Sequence, residues 1–98
     1  MEKSTPHCRL AIVKDLVAAG KVRSTYSALT GAAGLGLDFD AMLTIVARLE
    51  PRDFHKSMTT YEDHTVWQDV YRPFTPAGRV YLKLTVIDDV LLVSFKEY

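Results

Sequence analysis

The sequence predicts an α+β fold, a twisted and mainly antiparallel sheet with helices packed on one face. Three observations predict it. Apolar residues recur at helical spacing as far as Leu49, and the segments after residue 53 are rich in Thr, Tyr, Val, Trp and Phe. The chain has 98 residues, 48% apolar and 24% charged, the length and make-up of one small domain over residues 1–98.

The elements follow in order. Thr5 suits an N-cap and Pro6 the first helical position, and Leu10, Val13, Leu16 and Val17 form an apolar stripe that stops at Gly20. This predicts a helix over 6–19. The basic link Lys21 to Arg23 has room for a short strand. Thr25 opens a second helix to about Ala33, in which Gly31 and Gly34 lower the helical propensity. Asp38 caps a third helix through Phe39, Met42, Leu43, Val46 and Leu49, and Pro51 prevents its continuation. Strands are predicted at 54–61, 65–72, 79–87 and 90–97, with Glu62, Asp63, Pro73, Pro76 and Gly78 in the turns between them.

A two-residue turn at Asp88 and Asp89 fixes the register of the last hairpin. It pairs Ile87 with Val90, Lys83 with Ser94 and Tyr81 with Lys96. One face then carries Val80, Leu82, Leu84, Val86, Leu91, Val93 and Phe95 as a core. The other turns polar at its far end, where Tyr81 lies beside Lys83 and Lys96, a surface on which an anion would be welcome. A wet sheet face decorated with Tyr and Lys looks the same.

Lys56, Gln68 and Tyr81 are long polar side chains in the middle of successive strands, which calls for an open face. Gln68 is in phase with Val70 and Arg72, and Trp67 with Asp69 and Tyr71. Alternation alone leaves open which set faces the core.

Charge and motifs exclude several classes. Twelve basic and twelve acidic residues cancel, which speaks against holding nucleic acid by bulk charge. By segment the sum hides structure: residues 1–37 carry five basic against two acidic groups (+3), 38–69 three against seven (−4), and 70–98 four against three (+1). Lone Cys8 has no partner for a disulfide or a zinc site, which points to a reducing compartment, the cytoplasm. No run is apolar enough to span a bilayer, and the start MEKSTPHCR has no signal core. The glycines of GAAGLGLD follow no strand and so do not read as a phosphate loop. His7, His55 and His64 lack metal-ligand spacing, and nothing brings His55 and His64 together as an acid–base pair.

The runs DFHKSMTTYEDHTVWQDVYRP and VYLKLTVIDDVLLVSFKEY, the start MEK with TPH after it, and LGLDFD carry a resemblance over essentially the whole chain. It resembles the MqsR toxins of bacterial type II toxin–antitoxin systems. The resemblance implies the small α+β fold of the RelE and YoeB toxins. It also implies a metal-independent, cofactor-free endoribonuclease that cleaves mRNA at GC-containing triplets such as GCU and halts translation. The family's catalytic positions fall on Lys56, Gln68 and Tyr81, with Lys96 as a supporting cation. Lys83, Arg72 and His55 are candidates for substrate binding beside them; His55 stands where the family pattern has a Tyr, and it either adds a titratable group near the site or lines the RNA path. The implied partner is an MqsA-type antitoxin with a zinc-containing N-terminal domain and a helix-turn-helix DNA-binding domain. From another class, a non-catalytic module could use the same sheet face to bind RNA or protein.

Overall fold

The computed structural model describes all 98 residues. Its elements are β1 (Glu2–Lys3), α1 (Leu10–Ala18), β2 (Val22–Ser24), α2 (Tyr26–Ala33), α3 (Phe39–Ala47), a 3₁₀ turn at Pro51–Asp53, β3 (Phe54–Thr59), β4 (Trp67–Tyr71), β5 (Phe74–Thr75), β6 (Gly78–Ile87) and β7 (Asp89–Glu97). The fold is α+β, with a mixed open sheet in the order β1-β3-β4-β6-β7-β2 and three helices. Strands β3, β4, β6 and β7 form the expected antiparallel succession. The short strand anticipated near Lys21 is β2, and it pairs in parallel with β7, which makes the sheet mixed. No helix is long and apolar enough to cross a membrane.

One apolar cluster joins the helices to the sheet. Val13 and Val17 of α1, Ala28 and Ala32 of α2, and Met42, Ile45 and Val46 of α3 pack with Tyr71, Val80, Leu82, Leu84, Val90, Leu92 and Phe95. Burying a Val- or Leu-sized side chain is worth roughly 1.5–3 kcal/mol, so this cluster is the main source of stability. Burial pushes the Tyr71 phenol far up, and Phe54 meets its ring edge-on at 5.5 Å.

Helix α1 starts later than the predicted 6–19: Leu10 is its first residue and Arg9 its cap, so Thr5 and Pro6 do not cap it. The cause lies in β4. Both carboxylate oxygens of buried Asp69 accept backbone N–H groups, from His7 at 2.9 Å and Cys8 at 3.0 Å, which holds residues 7 and 8 outside the helix. Lys3 and His7 lie against Trp67 from the same side. The end of α1 is as expected: Gly20 at φ 76° lets its own N–H reach Val17 O and the Lys21 N–H reach Leu16 O, closing the last turn. Thr25 and Asp38 cap α2 and α3 through their side chains.

The last hairpin departs from the predicted register near its turn. Tyr81 does face Lys96 and Lys83 does face Ser94, but a shift follows, and beyond it Leu84 faces Leu92, Val86 faces Val90 and Ile87 faces Asp89. Asp88 alone turns, at φ 66°. The extra residue is Val93, and the bulge reverses alternation, so that Val90 and Leu92 enter the core in place of Leu91 and Val93. Thr25 is the physical reason visible here. Its hydroxyl donates to Val93 O at 2.9 Å and its N–H to Leu92 O at 3.0 Å, using carbonyls along the bulge.

Candidate active site on the open sheet face

Burial of Asp69 and Tyr71 settles the phase of β4. These two face the helices, so Gln68, Val70 and Arg72 face outward. Register then lays a row across the sheet, Lys56, Val70, Lys83 and Ser94, one residue from each of β3, β4, β6 and β7. Val70 is fully buried although it lies on this open face. Its cross-strand neighbours are the long side chains Lys56 and Lys83, whose aliphatic stems can cover an apolar residue between them. Gln68 pairs with Met58 on one side of this row, and Tyr81 pairs with Lys96 on the other.

Distances and charges within the face are specific. Lys96 Nζ lies 5.2 Å from the centre of the Tyr81 ring, and Lys56 Nζ is 2.9 Å from Glu2 Oε2. Glu2 reaches it diagonally from β1, where it pairs with Met58. The ammonium of Lys56 holds the Glu2 carboxyl below its usual range. Burial lowers the pKa of Lys83, and the positive charges of Lys96 and Lys56 lower it further. Three ammonium groups thus share one surface with a single carboxylate ion-paired among them. Such a surface favours an anion with several oxygens.

All seven sequence-predicted site residues lie on or beside this face. Lys56, Gln68, Tyr81, Lys83 and Lys96 project from it by register, and Arg72, just past the end of β4, follows Gln68 and Val70 in phase. His55 is the residue at which β3 shifts register, between Phe54 and Lys56, and it is exposed. Burial lowers its pKa most, Arg72 and Lys56 lower it too, and Glu2 opposes them. The imidazole therefore takes up its proton at a lower pH than an ordinary histidine does. Sequence reasoning missed Glu2: a residue in a two-residue edge strand gives no local signal, and its partner Lys56 is 54 positions away. No group of three metal-ligating side chains is present.

Fold and face together define a small α+β protein with a cation-lined, phenol-bearing sheet surface suited to an anion. The particular family follows from comparison with known proteins. Residues 5–97 match the family model described as "Motility quorum-sensing regulator, toxin of MqsA". The chain is also 65% identical over 97 residues to the mRNA interferase toxin MqsR of Escherichia coli strain K12, with 99% of each chain covered. It belongs to the MqsR toxin family.

Proposed function

We propose that this protein is the toxin of a type II toxin–antitoxin pair, a cytoplasmic endoribonuclease that cleaves mRNA at GC-containing triplets and so arrests translation. The observation that carries the reading, beside family membership, is the convergence of Lys56, Gln68, Tyr81, Lys83 and Lys96 on one open face. The single domain over 1–98 has the RelE and YoeB type of fold, and its antitoxin is of the MqsA type, with a zinc-containing N-terminal domain and a helix-turn-helix domain.

Metal-free RNA cleavage turns the 2′-hydroxyl on the adjacent phosphorus. The 2′-oxygen to phosphorus bond forms, the bond to the 5′-oxygen breaks, and the products are a 2′,3′-cyclic phosphate and a 5′-hydroxyl. Charge develops on the phosphorane oxygens, and fixed cations already in place stabilise it most. Lys56 and Lys96 supply that charge from opposite sides of the face. Lys56 exchanges the Glu2 carboxylate for the phosphate. Tyr81, whose ring lies beside Lys96, transfers a proton, and Gln68 orients the phosphate or a base edge with its amide.

Purified protein incubated in EDTA with an RNA containing GCU will cut it and leave cyclic phosphate ends. No cleavage of any RNA, together with tight RNA binding, would favour the non-catalytic module instead.

His55 adds a pH-dependent contribution. Its charge appears at a lower pH than that of an ordinary histidine, and a cation gained there strengthens RNA binding. The KM of His55→Tyr relative to the parent is therefore expected to rise as the pH falls from 8 to 5. A ratio flat down to pH 5 would dismiss the titration.

A further inference from the structure

Beyond the end of the Tyr81–Lys96 pair the sheet opens into a groove of about 410 Å³, lined by Arg48, Arg52, Arg72 and Arg79 with Phe74. Two carboxylates also line it. Glu50 is ion-paired with Arg52 at 2.6 Å, and Asp53 accepts the Glu50 N–H at 2.8 Å. Four guanidinium groups against two carboxylates leave the groove positively charged. Arg72 donates from Nη1 to Tyr98 Oη at 2.9 Å, while its Nε is buried without an acceptor. Arg79 lies 3.9 Å over the Phe74 ring and 5.8 Å from that of Tyr98. Phe74 and Tyr98 are 75% and 61% exposed, so each still offers ring surface to a ligand.

We propose that this groove is a second nucleotide subsite, which takes the phosphate and base of a residue flanking the scissile bond. The inference rests on the ribonuclease reading above and extends it. Position favours RNA as the occupant. Arg79 stands two residues along β6 from Tyr81, and Tyr98, just past the end of β7, two residues from Lys96 with its N–H on Arg79 O, which puts both about 7 Å from that pair. A strand held at the Tyr81–Lys96 pair would therefore enter the groove with its next nucleotides. Chemistry favours it too. Guanidinium groups bind phosphate oxygens in pairs. Exposed aromatic rings stack on bases whatever their sequence. An acidic protein segment would use the arginines but leave the two rings without a role.

The test uses two single-stranded RNA oligonucleotides with a 2′-deoxy nucleotide at the scissile position, which bind without being cut. One spans only the cleavage triplet and the other extends beyond it at both ends. The parent will bind the longer one more tightly. For that strand, Arg48→Gln with Arg79→Gln will lower the slope of log affinity against log salt by about 1.4, or about 0.7 per phosphate contact. Phe74→Ala, at an exposed position that leaves the core intact, will weaken it about tenfold. Both losses will be much smaller for the short strand. Equal losses for both strands, or none, overturn the subsite. So does RNA binding that is unaffected while antitoxin binding falls, which would make the groove a protein interface. A parent that cleaves RNA without regard to flanking length sinks the subsite alone, whereas a parent that cleaves no RNA sinks the activity beneath it.

Discussion

Lys56→Ala will lower kcat/KM for RNA cleavage by about 10²- to 10³-fold, the usual cost of removing one preorganised charge from a developing oxyanion. Its effect on folding will be small. The side chain is 29% exposed and its partner Glu2 is open to solvent, so the pair contributes little to stability. Thermal denaturation beside steady-state kinetics therefore separates the two roles: activity collapses while Tm moves by a few degrees. Tyr81→Phe removes only a hydroxyl and is expected to cost a similar factor. The double variant will fall short of the product of the two, because groups that act on one transition state are not additive. Unchanged cleavage in both single variants would remove these residues from the reaction.

The legible part of this candidate face was legible for a physical reason. Long polar side chains in the middle of strands cannot be buried cheaply, so Lys56, Gln68 and Tyr81 call for an open face, but alternation in β4 leaves the phase of Gln68 undecided and only the burial of Asp69 and Tyr71 sets it. The hairpin register then placed Lys96 opposite Tyr81, and that half of the hairpin is found as expected. What stayed hidden depends on partners distant in sequence. Thr5 and Pro6 satisfy every local rule for a helix start, yet Asp69 claims the His7 and Cys8 amides from more than 60 residues away. The turn at Asp88 looked like a two-residue loop, but Thr25 takes the carbonyls of Leu92 and Val93 and the strand bulges there. The arginine groove gathers residues 48, 52, 72 and 79 from the end of α3, the 3₁₀ turn, the segment after β4, and β6. No spacing along the chain could announce it. Net charge, zero for the whole chain, concealed the same thing, since local clustering of cations decides where RNA would dock.

Gly31 reverses its sequence-based meaning most sharply. In α2 it counts as a weak point, and Ala there should gain up to about 1 kcal/mol of helix propensity. The packing of α2 on β7 opposes this. A Cβ on Gly31 would overlap the Phe95 carbonyl oxygen and stand 3.1 Å from its carbon and 3.9 Å from Lys96 Cα. Backbone atoms cannot rotate away as a side chain can, so helix or strand must shift. Overpacking of this kind costs typically 1–3 kcal/mol and occasionally more, enough to exceed the propensity gain. Gly31→Ala is thus expected to destabilise by about 2 kcal/mol, or roughly 8–16 °C in Tm for a domain of this size. Gly34→Ala is the control. Its Cβ would meet nothing closer than 3.5 Å, and that variant should be neutral or slightly more stable. The strain in Gly31→Ala falls on the strand that carries Lys96, so cleavage by the fraction still folded will also drop. Measured well below the lowered Tm, that loss reads the position of Lys96; a variant as stable as the parent would show that α2 moves off β7 without cost.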